Sequence, residues 1–489
     1  MRRSLFCLAA ALLWLPAVLS ASEPSDRPTV VRFRIQSRDE IHALTRLVSI
    51  DDVRGLEVRA YASPLALKRL TELGYAWEVL PDPGLNPEAR MDLEERAPLG
   101  VWDSYPTYSG YVAMMQGYAT SYPQLARLVE IGNTTNTSRP HKLLALKISD
   151  NPDAEEDEPE VLYTSTMHGD ETTGSVTLLH LIDEILTNYD PLSTDPYKQR
   201  ITRLVNEGEL WINPFANPDG SYYVSDASVS GSIRYYTTTT GTNSWVDPNR
   251  NLPDPQDGPH PDGNVYWAET QAMMNFAAAH SFIISANFHG GAEVVNYPWD
   301  TWVARHADDA WYQVLSRQYA TLAQTNGPAG YMTDLDNGIT NGYDWYEVDG
   351  GRQDYMNYWR GCREVTIEIS STKNPPSSQL PTFWTANRDA LLTYLENALK
   401  GVRGRVTNQL GAPLAAQVTI PGHDHTGSSV TTDPEVGDYH RLLSPGNYPM
   451  SFSAAGYLTR DFSNVVVTTG DATRLDVVLY TDLIFADGF

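Results

Sequence analysis

The sequence predicts an α/β protein with a mixed, largely parallel central sheet that is covered by helices on both faces. From residue 99 to 400, apolar strand-like runs alternate with helical patterns, and this alternation is typical of parallel sheets. Residues 23–98 predict a small α+β module with a linker, and residues 401–482 predict a small β-sandwich. The two ends, residues 1–22 and 483–489, predict an export signal and a short tail.

The first segment has the parts of an export signal. Arg2 and Arg3 precede an apolar stretch over residues 5–19, and small residues follow it. The stretch contains Pro16 and is shorter than the roughly 20 residues that a membrane span needs. We therefore expect a protein that is secreted to an extracellular or periplasmic space and has no membrane span. A short membrane anchor is the alternative.

Composition and charge narrow the classes of function. Hydrophobic residues make up 41% of the chain and charged residues 20%, as in ordinary soluble proteins. The formal net charge of -26 argues against nonspecific nucleic-acid binding and favours cationic substrates, although an acidic surface also serves solubility alone. The cysteines are Cys7, inside the export signal, and Cys362, so the exported chain cannot form an internal disulfide. We therefore expect hydrophobic cores to stabilise the chain. A monomer is the favoured oligomeric state.

The N-terminal module is predicted to contain two strand-helix units. Residues 30–35 alternate as a half-buried strand, a helical pattern follows, and residues 55–60 alternate again. Ser63 is positioned to cap a helix that runs to Leu73, and residues 76–80 return as a strand. The Pro-rich, charged stretch after this strand predicts an exposed linker.

Four apolar runs are the clearest strands of the central region. They cover residues 161–166, 209–215, 282–288 and 365–369. After Gly401 the runs become short and alternating, with Gly, Pro and Asn turns between them. This change in pattern predicts the antiparallel sandwich at the C-terminal end.

Candidate metal ligands follow two of these strands. His168 and Glu171 lie three residues apart in a turn after the first strand, so an imidazole nitrogen and a carboxylate oxygen can reach the same ion. His289 ends another strand and offers a third ligand, because ligand sites in open α/β sheets gather at the carboxyl ends of strands. Three protein ligands with one open position are the arrangement of catalytic zinc. An H-x-x-E pair alone is a weak signal, so further motifs must support it.

Five motifs occur in order along the chain. They are HGDE at 168–171, NPFANPDG at 213–220, DPNRN at 247–251, HGGA at 289–292, and WYEVDGGRQDY at 345–355 followed by TIEI at 366–369. Over roughly residues 103–482, the chain resembles the zinc metallocarboxypeptidases of the carboxypeptidase A/B family, within it the N/E, or regulatory, branch. The resemblance implies a carboxypeptidase-like fold, a transthyretin-like C-terminal domain, one zinc ion per catalytic domain, and removal of single residues from peptide or protein C-termini. Residues 23–98 resemble the propeptides of some secreted carboxypeptidases in outline.

The resemblance also implies roles for individual residues. These roles are zinc binding by His168, Glu171 and His289, orientation of a zinc histidine by Asp247, proton transfer by Glu368, stabilisation of the oxyanion by Arg234, closure over the substrate by Tyr346, and binding of the terminal carboxylate by Asn249 and Arg250. Neighbouring amide and guanidinium groups suit a free carboxylate because they donate forked, charge-assisted hydrogen bonds. An internal peptide bond cannot satisfy these donors. Acid-base help from Glu368 would contribute on the order of 10²- to 10⁴-fold.

Asp300 and Gln353 stand where the resembled branch recognises a Lys or Arg side chain. A buried carboxylate costs desolvation unless a cation fills its pocket, so Asp300 implies a preference for Lys or Arg at the substrate C-terminus. One alternative is a broad-specificity carboxypeptidase, because Arg352 places a cation beside Gln353. Another is a catalytically silent binding or scaffold protein of the same fold. The complete set of ligand, base and anchor candidates argues against the second alternative.

Overall fold

The computed structural model describes residues 27–92, 102–136, 138–237 and 245–481. The predicted export signal and the predicted tail lie outside these residues. Within them, the chain forms an N-terminal module, a central α/β region and a C-terminal β-region, each with a hydrophobic core of its own. The predicted α/β class with a mixed central sheet is confirmed. None of the described helices combines the length and the apolar character that crossing a membrane requires.

Within residues 27–80 the N-terminal module contains four strands and two helices, which are β1 (Thr29–Arg34), α1 (Ile41–Leu44), β2 (Ser49–Arg54), β3 (Glu57–Ala62), α2 (Pro64–Glu72) and β4 (Trp77–Val79). The strands form an antiparallel sheet in the order β2-β3-β1-β4. Ser63 caps α2 as predicted, because its hydroxyl accepts a hydrogen bond from the backbone N–H of Ala66.

Strand β2 is the element of this module that the sequence pattern missed. A helical pattern was expected between the first two strands, whereas only four residues form α1 and β2 then begins at Ser49. In β2 the register shifts between Ile50 and Asp52, so the strict alternation of buried and exposed residues is lost. Four of its six side chains are polar or charged, and they are stabilised by contacts outside the module.

Between residues 91 and 399 the described elements follow one another as β5 (Met91–Asp92), β6 (Tyr105–Pro106), α3 (Tyr108–Ser121), β7 (Ala126–Asn133), β8 (Lys142–Ile148), β9 (Glu160–Ser165), α4 (Thr173–Asn188), α5 (Pro196–Asn206), β10 (Glu209–Asn213), α6 (Pro218–Ser221), α7 (Ala268–Ala279), β11 (Ile284–His289), β12 (Ala292–Tyr297), α8 (Asp309–Asn326), α9 (Asp334–Asn337), β13 (Ile339–Asn341), α10 (Gly342–Trp345), α11 (Arg352–Arg360), β14 (Arg363–Ser370) and α12 (Leu380–Glu396). Short 3-10 helices cover Arg38–Glu40, Pro248–Arg250, Ser377–Gln379 and Asn397–Leu399.

The central sheet has eight strands in the order β13-β12-β14-β11-β9-β10-β8-β7. The pairs β9/β10, β9/β11, β11/β14 and β12/β13 are parallel, and the remaining neighbours are antiparallel. Alternate residues of a strand face opposite sides of a sheet. Thus Tyr163 packs into the core that includes residues of α4 and α12, and Leu162 packs into the core that includes residues of α7. Helices therefore cover both faces, as the sequence predicted.

Beyond Gly401 the chain forms β15 (Val402–Asn408), β16 (Gln417–Thr419), β17 (Val430–Thr431), β18 (Asp438–Arg441), β19 (Gly446–Ser453), β20 (Arg460–Val467), β21 (Thr473–Arg474) and β22 (Val477–Leu479). These strands form two sheets that share one core, in which Val402 and Val406 of one sheet meet Met450 and Phe452 of the other. The expected C-terminal β-region is confirmed.

The connector after the N-terminal module is less exposed than predicted. Asn86 is buried, and its side-chain amide donates hydrogen bonds to the Asn374 side chain at 3.2 Å and to the Pro375 carbonyl at 2.8 Å. Strand β5 then pairs with β6. The Pro and charged residues predicted exposure, but they do not reveal one buried amide that binds a distant loop.

Candidate active site

The site begins at the turn between β9 and α4. Thr166 leaves β9 with a φ of 61°, in the left-handed region, and its hydroxyl donates to the Glu171 carbonyl at 3.2 Å. Gly169 packs against the backbone of Gly220, and a Cβ at this position would lie 2.3 Å from the Gly220 carbonyl carbon. This tight turn positions His168 and Glu171 beyond the carboxyl end of β9.

Parallel pairing brings the other strand ends to the same edge of the sheet. His289 is the last residue of β11, and it lies opposite Glu368 of β14 in the parallel ladder. Strand β11 pairs with β14 on one side and with β9 on the other. The turn residues, His289 and Glu368 therefore meet above three adjacent strands, as expected for an open α/β sheet.

His168, Glu171 and His289 form a compact set of metal donors. The His168 Nδ1 lies 3.0 Å from Glu171 Oε1, the His289 Nδ1 lies 2.8 Å from Glu171 Oε2, and the two imidazole nitrogens are 3.1 Å apart. Donors around a tetrahedral zinc with bonds of about 2 Å stand about 3.3 Å apart. All three residues are buried, and together they could hold one ion. The arrangement fits zinc.

The second nitrogen of each imidazole has a partner that orients the ring. His168 Nε2 lies 3.0 Å from Asp247 Oδ1, and His289 Nε2 lies 2.8 Å from the side-chain amide of Asn287. Burial raises the pKa of Asp247, but the charges of Arg234 and His168 lower it by a larger amount. The pKa of Asp247 therefore lies well below its ordinary value. Burial lowers the pKa of His289 to about 4, which favours the neutral imidazole that a metal requires.

Two cations also reach the Glu171 carboxylate. Arg234 Nη1 lies 3.4 Å from Glu171 Oε1, and its Nε donates to Asp247 Oδ2 at 3.0 Å. Lys373 Nζ donates to Glu171 Oε1 at 2.5 Å. A role for Arg234 at this site was implied by the resemblance. Lys373 was not predicted, because it follows β14 in a stretch with no recognisable motif.

Eight of the predicted residues line one cavity, namely His168, Glu171, His289, Arg234, Asn249, Asp300, Tyr346 and Glu368. Asp247 and Arg250 line a different cavity, and Gln353 contacts the site through its hydrogen bond to Asp300. Glu368 Oε2 is buried and accepts no hydrogen bond from the described residues. Burial raises the pKa of Glu368 well above its ordinary value, and the charge of Glu171 raises it further.

Asp300 has two amide donors on one oxygen. Gln353 Nε2 donates to Asp300 Oδ1 at 2.9 Å, and Asn296 Nδ2 donates to the same oxygen at 3.0 Å. Burial raises the pKa of Asp300 to about 7. Arg352 precedes Gln353 in the sequence, but its guanidinium donates to Glu364 and Thr164 instead. Its guanidinium is therefore occupied away from the Asp300 carboxylate.

The candidate carboxylate anchors lie on the 3-10 helix Pro248–Arg250. Asp247 caps this helix and accepts a hydrogen bond from the Asn249 N–H at 2.9 Å. Arg250 Nη2 donates at 3.0 Å to the carbonyl oxygen of Ile50, which belongs to β2 of the N-terminal module. The Asn249 Oδ1 accepts from the Arg352 N–H at 2.8 Å.

Strand β2 thus enters the cleft and binds several site residues directly. The Asp51 carboxylate lies 2.6 Å from Lys373 Nζ and 3.2 Å from Arg234 Nη1, and Arg59 of the module donates to it at 2.6 Å. Tyr346 donates its hydroxyl to the Asp51 carbonyl at 3.3 Å. The sequence offered no signal for these contacts, because an aspartate in a polar segment does not identify its partner.

Comparisons with known proteins agree with these motifs. A family profile described as zinc carboxypeptidase matches residues 111–390, and one described as carboxypeptidase regulatory-like domain matches residues 401–480. Carboxypeptidase M of Mus musculus is 34% identical over 373 residues, which cover 73% of this chain and 80% of that protein. Carboxypeptidase D of Rattus norvegicus is 32% identical over 398 residues, which cover 75% of this chain but only 28% of that longer protein. The crystal structure of carboxypeptidase A from Helicoverpa armigera shares the fold, with a TM-score of 0.59 and 16% identity over 77% of this chain and 98% of that one.

Proposed function

The chain belongs to the zinc carboxypeptidase family, and on that premise we propose that it is a secreted enzyme that releases C-terminal Lys or Arg residues from peptides and proteins. It is a zinc-dependent metallocarboxypeptidase. The finer proposal depends on one observation, which is that the Asp300 carboxylate lines the same cavity as the three metal donors and Glu368. A cationic side chain in this cavity would meet Asp300 while its amide bond stands beside the metal site. Export is supported by the pattern of residues 1–22.

The catalytic roles follow from the positions of the side chains. Zinc held by the two histidines and Glu171 would supply Lewis acidity to the scissile carbonyl and to an attacking water. Glu368 has a free, buried carboxylate oxygen and a raised pKa, and both properties suit a group that takes a proton from water and returns it to the leaving amine. Arg234 lies against the metal donors, which supports its role beside the oxyanion that develops on the substrate.

We assign recognition of the substrate's terminal carboxylate to Arg250 and Asn249. A guanidinium donates to a carboxylate oxygen more strongly than to a neutral carbonyl, because the acceptor is charged. Arg250 already donates to the Ile50 carbonyl of the module, so its Nη2 is aimed at an oxygen acceptor that enters the cleft. A substrate carboxylate would compete for the same donor.

We propose that the N-terminal module acts as a propeptide-like cover of the cleft. The Ile50 carbonyl accepts a hydrogen bond from Arg250, and the Asp51 carbonyl accepts one from the Tyr346 hydroxyl. The Asp51 carboxylate binds Arg234 and Lys373. A substrate needs the hydrogen-bond donors of Arg250 and Tyr346, and it needs the space that the Asp51 carboxylate fills. Turnover should therefore be slower while the module occupies the cleft.

The broad-specificity alternative rested on Arg352. The contacts of this guanidinium with Glu364 and Thr164 support the Lys/Arg preference over the alternative, because they direct it to partners other than Asp300. The silent-scaffold alternative predicts no turnover in any form of the chain. It is decided by the experiment below.

The test is mass spectrometry of a mixed peptide library before and after incubation with the chain, with and without a chelator. The chain is used both intact and after limited proteolysis of the connector that follows the module. We expect loss of single C-terminal Lys or Arg residues, faster after proteolysis and abolished by the chelator. Equal turnover of peptides that end in Arg, Glu and Phe would overturn the Lys/Arg preference, and no turnover in any form would support the scaffold reading.

A further inference from the structure

A second group of metal-donor side chains lies where the N-terminal module contacts the loop that carries Tyr346. His42 belongs to α1 of the module, and Glu347 and Asp349 follow Tyr346 in the loop. One donor atom from each of the three residues lies within 4.8 Å of the others. The His42 Nδ1 is 2.8 Å from Glu347 Oε1. The group is separate from the catalytic cavity and shares no residue with it.

The Asp349 carboxylate is unusual because it is buried without a hydrogen bond. Asp349 is 5% exposed, and neither of its carboxylate oxygens accepts a hydrogen bond from the described residues. The Arg46 Nε lies 3.8 Å from Asp349 Oδ2, and the same guanidinium donates to Asp257 at 2.7 Å. Buried carboxylate oxygens nearly always have a partner, since their desolvation is otherwise uncompensated. A bound cation would provide that partner.

The surroundings of Asp349 carry an excess of negative charge. Burial raises the pKa of Asp349 to about 7, and the neighbouring charges of Glu347, Asp257 and Asp254 raise it further, while Arg250 acts in the opposite direction. Asp257 Oδ2 is also buried without a hydrogen bond among the described residues. Several carboxylates therefore converge where a divalent cation would be stabilised by their combined charge.

We propose that His42, Glu347 and Asp349 bind a second divalent transition-metal ion, with zinc as the probe, and that this ion joins the N-terminal module to the Tyr346 loop. Imidazole and carboxylate are both zinc ligands, and three protein ligands leave one position for water. The His42 side chain is 50% exposed, so an ion can enter from solvent. Because one ligand comes from the module and two from the loop, the ion bridges two parts of the chain that are about 300 residues apart in sequence.

Other groups already join the N-terminal module to the Tyr346 loop, so a bridging ion would strengthen an existing contact. Arg38 of the module donates to the carbonyl oxygens of Asp344 and Trp345, and the Trp345 Nε1 donates to Asp52 Oδ1 at 2.9 Å. The ion would add a further link between two surfaces that these hydrogen bonds already join. It would thereby hold β2 against Tyr346.

A matched comparison exists elsewhere in the chain. Asp308, His423 and Asp424 also place donor atoms within 4.8 Å of one another. There, however, Arg363 and Arg441 donate hydrogen bonds to Asp308 at 2.7 and 2.8 Å, whereas the Arg46 Nε lies 3.8 Å from Asp349 Oδ2. We expect no metal at that group, and His423→Ala serves as the control for His42→Ala.

The experiment measures the metal content of the full-length chain after dialysis against zinc and removal of unbound metal. We expect two zinc equivalents for the wild-type chain and for His423→Ala, and one equivalent for His42→Ala and for Asp349→Asn. His168→Ala should also retain one equivalent, so the second site is scored independently of the catalytic one. One equivalent in the wild-type chain, or two in both His42→Ala and Asp349→Asn, would overturn the proposal. Because His42 is half-exposed, its variant keeps the test valid where Asp349→Asn fails to fold.

The bridging role has a separate readout in limited proteolysis of the connector after the module. Zinc added beyond one equivalent should slow this cleavage in the wild-type chain and leave the rate unchanged in His42→Ala. The cleavage rate does not depend on peptide turnover, so its outcome is distinguishable from failure of the proposed activity. Equal cleavage rates with and without added zinc in the wild-type chain would overturn the bridge.

Discussion

The Asp51 carboxylate of the N-terminal module lies 2.6 Å from Lys373 Nζ, the same amine that donates to the metal-site carboxylate of Glu171. One lysine thus joins the covering strand to the candidate zinc site. Arg234 makes a parallel link, because it contacts both Asp51 and Glu171. The cover and the metal centre are therefore coupled by charge, and disturbing one changes the environment of the other.

Asp51→Ala should weaken the cover. The substitution removes the ion pairs to Lys373, Arg59 and Arg234, and loss of one partner of a buried pair costs about 3–5 kcal/mol. We expect kcat/KM of the full-length chain on an Arg-ending peptide to rise at least about tenfold, which corresponds to about 1.4 kcal/mol. Glu72→Ala, on the exposed side of α2, should change nothing. Equal activity of Asp51→Ala and wild type, with the module still attached, would contradict the covering role.

Glu368→Gln should reduce the chemical step and leave the metal in place. An amide cannot take a proton, so kcat should fall by about 10²- to 10⁴-fold with a small change in KM. Zinc content should stay at the wild-type value, since Glu368 is not among the three metal donors. Glu435→Gln, at an exposed turn, is the matched control. A variant with near wild-type kcat would remove Glu368 from proton transfer.

Asp300→Asn should remove the preference for cationic C-termini. The buried carboxylate is the only acidic group proposed to meet the substrate side chain, and truncating one partner of such a pair costs about 2–5 kcal/mol. We expect kcat/KM for Arg-ending peptides to fall by about 30-fold or more and the value for Phe-ending peptides to fall far less. Asp344→Asn, at an exposed position, controls for loss of negative charge. A similar loss on both substrates would assign Asp300 a structural role.

The preference should also depend on pH, because the pKa of Asp300 is raised to about 7 by burial. Below that pH the carboxyl is neutral and cannot pair with a cation, whereas above it the carboxylate is charged. The ratio of kcat/KM for Arg-ending and Phe-ending peptides should therefore fall as pH decreases through about 7. Taking the ratio cancels the titration of groups that serve both substrates. In Asp300→Asn the ratio should not vary with pH, and a wild-type ratio that is equally flat would argue against the assignment.

Asp308 should stabilise the junction between the central and C-terminal regions. Its buried carboxylate accepts from Arg363 at 2.7 Å and from Arg441 of the C-terminal region at 2.8 Å. Asp308→Asn leaves both guanidinium groups without their counter-charge, and we expect a loss of about 3–5 kcal/mol in the free energy of unfolding. Asp461→Asn, on the exposed part of β20, should have a small effect. Denaturant unfolding of both variants tests this, and an equal, small change in each would refute it.

Local patterns were sufficient for much of the fold and for the residues that sit in motifs. The strands β9, β10, β11 and β14 are buried along almost their whole length, and the apolar residues that recur in each of them made these strands recognisable. His168 and Glu171 share one turn, and their spacing together with the motifs that follow along the chain predicted a shared ion.

Tertiary structure alone decided the contacts that join distant segments. Strand β2 loses its alternation at a register shift, and the carboxylate of its Asp51 is buried beside Arg234 and Lys373 from the central region. Lys373 and Asp51 lie more than 300 residues apart, as do His42 and Glu347. A sequence reveals the spacing of neighbours and the periodicity of burial, whereas the partner of a single buried charge depends on how the whole chain packs. The contacts of β2 with the site residues and the second metal-donor group therefore appear only in the folded protein.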